Sequence, residues 1–285
     1  MLKKLMKHEF EATRRILLPL NLTIVLITVV GCLILCTDIL QRDTSLPLVI
    51  LLIILYALSM IVLTLAAYIY SMVRFYKNLF TSEGYLMFTL PVTHTQLLNS
   101  KLIVAFLWNC FNVLLTVGSI FAISFSSSYY AIAHADSANE KSAFLSGFVS
   151  ALSGGAQTTA SFQDIFGYGP LQLLGICCLS LIIGCFFSLT MGYLAIALGQ
   201  LMERHKLASS IGFYIAFYIV TQILSSILMI VINLNTLLGT EMDSLTLTRR
   251  IYSSFLPATC IFNLILGVIF YLITRLIIRR KVNLE

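Results

Sequence analysis

The chain has 285 residues, of which 59% are hydrophobic and 11% charged, with a mean hydropathy of +0.96. A soluble domain carries about a quarter charged residues, so this chain has too little polar side chain to coat a water-exposed surface; a water-soluble enzyme, a disordered tail and a nucleic-acid-binding domain are excluded. The excess of 18 Lys and Arg over 12 Asp and Glu therefore bears on membrane topology rather than on a polyanionic partner.

The first segment, 1–15, reads as an amphipathic helix. Leu2, Leu5, Met6, Phe10 and Thr13 fall on one arc at helical periodicity, and Lys3, Lys4, Lys7, Glu11, Arg14 and Arg15 fall opposite. Such a helix is expected to lie along the inner membrane surface, either as a basic anchor to anionic lipid or in a specific coupling role. Glu9 favours the second role, because it projects into the apolar arc beside Phe10 and an unpaired carboxylate there is costly. It is expected to meet a cation or backbone donors from another segment, with the neighbouring inner loop that holds Arg74, Lys77 and Lys101 as the source.

Six spans free of Asp, Glu, Lys and Arg follow: Ile16–Cys36, Pro47–Met72, Leu102–Phe125, Leu171–Met202, Leu207–Leu234 and Phe255–Thr274. Each has the ~20 residues a helix needs to cross the hydrocarbon, and the longest are accommodated by tilt rather than by a further crossing. The expected fold is all-α: a six-helix transmembrane domain over 16–285 behind the interfacial helix. Alternate loops divide the cations unequally. Lys3, Lys4, Lys7, Arg14, Arg15, Arg74, Lys77, Lys101, Arg204, Lys206, Arg275, Arg279, Arg280 and Lys281 fall on one side, and only Arg42, Lys141, Arg249 and Arg250 on the other. The positive-inside rule then places both termini in the cytoplasm. Ile16–Cys36 is too long for a signal-peptide core and no small-residue cleavage site follows it, so it is expected to remain in the mature chain.

The inner loop 73–101 opens with Arg74-Phe75-Tyr76-Lys77-Asn78-Leu79-Phe80 and continues through Ser82-Glu83-Gly84 to an apolar stretch ending at Leu90-Pro91. Pro91 is expected to stop a helix there. Thr93 and Gln96 have capping-box spacing and are expected to start the next helix, so the loop reads as helix, break, helix.

Polar residues recur in stripes within the spans: Asn109, Asn112, Thr116 and Ser119 on the third, and Tyr214, Tyr218, Thr221, Gln222 and Ser225 on the fifth. Such stripes either join helices by hydrogen bonds of about 0.6–2 kcal/mol each or line a path. Ser180, Gly184, Ser188 and Gly192 on the fourth span read as a face for close packing. The seven cysteines all lie in apolar spans, with no His or acid beside them to complete a metal or redox site, so they read as small buried hydrophobes and no metal site is expected. The outer loop 126–169 carries Phe144, Leu145, Phe148 and Leu152 at helical spacing, and its His134, Asp136 and Glu140 are too sparse for a metal. A short surface helix fits it, and the loop as a whole is expected to rest on lipid as a mobile connection, to cap an exit or to contact an extracellular peptide.

The segment Glu83-Gly84-Tyr85-Leu86-Met87-Phe88-Thr89-Leu90-Pro91-Val92-Thr93-His94-Thr95-Gln96-Leu97-Leu98-Asn99-Ser100-Lys101 resembles the loop between helices two and three of type-2 ATP-binding-cassette (ABC) transporter permeases. In that family an acidic residue and Gly precede an apolar turn, followed by Pro, a hydroxyl residue and a Lys entering the third helix. The amphipathic leader and six helices extend the resemblance to nearly the whole chain, and the long loop 126–169 departs from it. The resemblance implies that this chain is a permease subunit, paired with itself or with a related permease. A separate cytoplasmic ATPase, carrying ATP and magnesium, would dock on the loop at Glu83, Gly84, Tyr85, Leu86, Met87, Phe88 and Pro91. It also implies a path at the permease dimer interface lined by helices two and five, which nominates Tyr56, Ser59, Tyr218, Gln222 and Ser225, with Asn109 and Asn112 as further candidates.

No cofactor is expected on this chain: no phosphate loop with Gly-Lys-Ser/Thr occurs, and Leu152-Ser153-Gly154-Gly155-Ala156-Gln157 has an inserted Ala and lies on the outer side. No catalytic residues are nominated, because the spans hold neither His-Glu-x-x-His nor paired carboxylates. The implied function is export across a bacterial cell membrane of a peptide, drug or other amphipathic cargo. A six-helix substrate-capture component and a non-transporting sensor or immunity protein on the same fold are the alternatives.

Overall fold

A computed structural model of the chain describes residues 2–35, 46–81, 93–133, 166–202, 205–237 and 244–281. Among them there is no strand. The elements are α1 (Leu2–Leu35), α2 (Leu46–Phe80), α3 (His94–Ala133), α4 (Pro170–Gly199), α5 (Lys206–Leu237) and α6 (Ser244–Lys281). Each of the six is long and apolar enough to cross a membrane. Apolar residues of α2 such as Ile53, Ile54, Leu58, Ile61 and Leu65 stand more than half exposed, which is tolerable only against lipid. The chain is a multi-pass, all-α membrane protein.

One expectation changes. The amphipathic segment 1–15 is helical as expected, but it does not form an element of its own along the membrane surface: α1 runs unbroken from Leu2 to Leu35, with Pro19 inside it. The reason lies in packing. Thr13 and Leu17 are both buried, so the apolar arc of the leader passes directly into the buried face of the first span, with no break in periodicity.

The helices fall into two compact units, 1–144 and 145–285. In the first, α1 lies most extensively against α3, and α2 packs on both. The pairings fix direction. Glu9 meets Lys101, Asn21 meets Asn112 and Cys32 meets Ser126, so α1 and α3 run parallel. Ser71 meets Asn109, Thr64 meets Thr116 and Tyr56 meets Ser119, so α2 runs antiparallel to α3. Leu17, Ala67, Val104 and Trp108 form the core of this unit, with Met6, Leu20 and Tyr70 packed against it.

The second unit repeats the plan. Here α4 and α6 are the most extensive partners, with α5 against both. Met191, Leu194 and Phe270 form its core with Phe187 and Phe217 around them; the Phe187 and Phe270 rings stack at 5.8 Å. Gly169 and Pro170 start α4 as N-cap and first helical residue, and the Gly169 N–H donates to Gln172 Oε1 at 3.3 Å.

α6 has a defect that the fold repairs. Pro257 has no N–H to give the carbonyl four residues back, that of Ser253. The Tyr168 hydroxyl donates to this carbonyl at 2.6 Å. A turn at Gly167 delivers Tyr168 there with φ of 75°, a conformation that glycine adopts without penalty.

One position in the small-residue stripe of α4 is open. A Cβ added at Gly184 would meet nothing within 4 Å, which corrects the close-packing expectation at that position. Tight approaches occur at Gly199, where an added Cβ would fall 2.6 Å from the Ser210 backbone, and at Gly267, 3.0 Å from the Phe186 ring.

Candidate functional site

The basic ends of α1, α2 and α3 converge on Glu9. Its Oε1 accepts from Arg74 Nε at 2.6 Å and, at 3.5 Å, from Asn78 Nδ2. Its Oε2 accepts from Lys101 Nζ at 3.3 Å. The three ionic side chains are largely shielded, with relative exposures of 11% for Glu9, 20% for Arg74 and 3% for Lys101. The expected cation partners are therefore Arg74 and Lys101. Lys77, one helical step further along, is exposed, and Asn78, an amide rather than a cation, occupies the place beside the carboxylate.

Glu9 and Arg74 lie outside the uncharged runs of their helices. Burial raises the Glu9 pKa, but the hydrogen bond from Arg74 and the charges of Lys101 and Arg74 outweigh it and hold the carboxyl below its ordinary value. Burial disfavours the Arg74 cation, and its contacts with Glu9 and Tyr70 more than compensate. The Arg74 Nη1 reaches the Tyr70 hydroxyl at 3.3 Å.

Sequence order explains why these groups meet. Glu9 sits on the same helical arc as Met6 and Thr13. Thr13 turns its hydroxyl back onto the Glu9 carbonyl. Phe10 stacks on Trp108 with ring centroids 5.1 Å apart, which fixes the rotation of α1 against α3. The start of α3 is set by the expected capping box: the Gln96 N–H donates to Thr93 Oγ1 at 3.3 Å and the Thr93 N–H to Gln96 Oε1 at 3.4 Å. That start places Lys101 two turns into the helix, level with Glu9. A cleft of about 340 Å³ opens beside the cluster.

The remaining nominated residues divide sharply. Glu83, Gly84, Tyr85, Leu86, Met87, Phe88 and Pro91 lie outside the described residues, as do positions 134–165 of the outer loop and Cys36. Tyr56 donates to Ser119 Oγ at 2.8 Å, and Ser59 donates to the Tyr56 carbonyl at 2.7 Å. Asn109 Nδ2 donates to Ser71 Oγ at 3.0 Å, and Asn112 Nδ2 donates to Asn21 Oδ1 at 2.9 Å. Those four polar groups are committed inside the first unit. In the second unit Tyr218 and Gln222 are exposed and Ser225 half-buried on α5. The six described cysteines are free thiols. Among the described residues no group of His, Cys, Asp and Glu could hold a metal ion.

Two participants escaped sequence reasoning. Trp108 is buried beside Phe10, and its Nε1 finds no acceptor among the described residues; a lone tryptophan in an apolar run carries no positional signal. Tyr168 lies in the turn before α4, and only the defect at Pro257, far along the chain, could have pointed to it.

No family of known proteins, no curated protein and no solved structure gives a match to the chain.

Proposed function

We propose that this chain is the permease subunit of a type-2 ABC transporter, working as a homodimer or with a related permease in a bacterial cell membrane, both termini cytoplasmic. A separate ATPase would dock on the segment between α2 and α3 and drive export of an amphipathic cargo. One observation carries the reading most directly. Glu9 is tied to Arg74 and Asn78 at the end of α2 and to Lys101 at the start of α3, so the two stems that flank the 82–92 segment share one anchor on α1. A displacement of that segment by a bound partner would reach three helices at once, as conversion of nucleotide binding into helix movement requires. The resemblance of residues 83–101 to the family's coupling loop supports the same reading.

The experiment is purification of the chain from its native membrane in mild detergent, with mass spectrometry of what accompanies it and an ATP hydrolysis assay. Recovery of a nucleotide-binding subunit, lost on Glu83→Ala or Gly84→Pro while membrane insertion persists, is the expected result. An isolated chain with no ATPase would replace this reading with substrate capture or sensing.

A further inference from the structure

In the second unit, α4 and α6 bring two thiols of distant sequence position to one level: Cys177 and Cys260. We propose that they are a redox-active pair, oxidised to a disulfide by a quinone dissolved in the bilayer, and that the bond ties α4 to α6. This chemistry is independent of the transport reading and needs no ATPase partner.

Register places the thiols together. Ser253, Cys260 and Gly267 recur at seven-residue intervals along α6, so all three lie on one face of that helix. The Ser253 carbonyl accepts from the Tyr168 hydroxyl, and Gly267 comes so close to Phe186 that an added Cβ would fall 3.0 Å from the ring; the face they share is the one turned toward α4. Cys260 is midway between Ser253 and Gly267, and Cys177 is midway between Tyr168 and Phe186, nine residues from each. Both pairs of contacts run in the same order, so the helices are parallel and midpoint meets midpoint. The two thiols lie near enough to interact electrostatically. Packed helix axes are ~8–10 Å apart and carry their Cα atoms at a radius of ~2.3 Å, so facing Cα atoms approach within the ~4.4–6.8 Å that a disulfide spans.

Exposure divides the labour. Cys177 is exposed and Cys260 buried, the arrangement in which oxidation of an accessible thiol is captured by a second thiol behind it. Exposed Leu174 and Leu179 flank Cys177 in a span free of Asp, Glu, Lys and Arg, so the oxidant must arrive through lipid. A neutral quinone takes up two electrons and two protons together and leaves no charge in the hydrocarbon. The Cys177 sulfur bonds to the quinone, and the Cys260 sulfur then attacks the Cys177 sulfur. The S–S bond forms as the sulfur–quinone bond breaks, and the quinone departs as hydroquinone with both electrons and both thiol protons. Cys178 is also exposed, but it lies about 100° around the helix from Cys177, away from the level contact with Cys260.

The test uses the full chain in phosphatidylcholine nanodiscs, reduced with tributylphosphine and then exposed to ubiquinone with a one-isoprene tail, whose ring has no free position for a lasting thiol adduct. Remaining thiols are alkylated with N-ethylmaleimide and the peptides mapped by mass spectrometry. The wild type is expected to give a peptide linked through Cys177 and Cys260, one hydroquinone per chain and a raised Tm, with tributylphosphine restoring the starting Tm. Cys177→Ser and Cys260→Ser are each expected to abolish the linked peptide, the hydroquinone and the Tm shift, and Cys178→Ser to keep all three. A wild type in which Cys177 and Cys260 are both alkylated after quinone treatment, or in which either is linked to a different cysteine, would overturn the pair, and that result needs no variant. Linkage by molecular iodine but not by the quinone would overturn the quinone as oxidant. A linked chain with an unchanged Tm would overturn the tie between the helices.

Discussion

Replacing Glu9 by Gln keeps the shape of the side chain and removes the carboxylate that Arg74 and Lys101 share. The consequence follows from burial. Lys101 is 3% and Arg74 20% exposed at the side chain, so neither can recover full hydration without moving. Breaking a buried pair by removing one partner costs about 3–5 kcal/mol. The lower end applies here because the long side chains can move toward the membrane interface, so the expected loss is about 3 kcal/mol, roughly a hundredfold in the folding equilibrium. The assay is intrinsic. Trp108 is the chain's one tryptophan, and it stacks on Phe10, the residue next to Glu9. Its emission in an SDS titration of the protein in mixed micelles therefore follows release of the leader. A diagnostic comparison guards against a trivial loss of fold: Glu9→Gln with Lys101→Met removes one buried cation along with the carboxylate, and the double variant is expected to be more stable than Glu9→Gln alone. A double variant less stable than the single one, or a Glu9→Gln midpoint indistinguishable from wild type, would show that the charges are solvated and that the cluster does not hold the leader.

Further expectations concern neutral contacts. Tyr168→Phe removes the hydroxyl that donates to the Ser253 carbonyl, which Pro257 leaves without its helical donor; a cost of about 1–2 kcal/mol is expected, read as a lower Tm, and Pro257→Ala in the same chain should shrink it by restoring the N–H. Gly199→Ala forces a Cβ to within 2.6 Å of the Ser210 backbone, an overpacking that should cost about 3 kcal/mol, whereas Gly184→Ala, which meets nothing within 4 Å, should be neutral or slightly stabilising; equal Tm values for the two would contradict the packing described between α4 and α5. Asn112→Leu breaks the amide bridge to Asn21 and should cost about 1 kcal/mol, the scale of interhelical hydrogen bonds in membranes, by the same SDS titration.

Those residues also mark how far the sequence could be read. The six crossings were legible because a helix in lipid must satisfy its own backbone and present apolar side chains, which leaves runs that cannot be mistaken. Glu9 was legible for a related reason: a carboxylate on an apolar arc demands a counter-charge, and the positive-inside rule gathers most of the cations, Arg74 and Lys101 among them, on the same expected membrane face. The capping box at Thr93 and Gln96 is local and was equally visible. Continuity of α1 was not, because an amphipathic leader and an apolar span have the same helical period, and only burial of Thr13 and Leu17 shows that one face passes through both. The close approaches at Gly199 and Gly267 were invisible for the opposite reason. Spacing of small residues within one helix says nothing about where a neighbour comes nearest, so Gly184, inside the regular stripe, is open while Gly199, outside it, is crowded.

The seam between α1 and α3 shows how polarity is graded along a helix pair in lipid. At the basic end the tie is ionic, Glu9 to Lys101. Midway it is a neutral amide pair, Asn21 to Asn112, with Asn112 only 1% exposed. At the far end it is a hydroxyl, Ser126, on the Cys32 carbonyl. A carboxylate at the middle rung would lack access to headgroups and water, and its desolvation would outweigh its attraction to a partner; an amide meets the need at lower cost. Each rung is weak enough alone to be exchanged for contacts in another register. All three share one register, however, and sliding α3 by a single helical turn of about 5.4 Å would break them together and leave Lys101 without its carboxylate. The ionic rung therefore sets the depth of the seam, and the neutral rungs make any other depth more expensive. A partner that pulls on the basic end would then move α1 and α3 as one body, because separating them requires the loss of every rung rather than of the nearest.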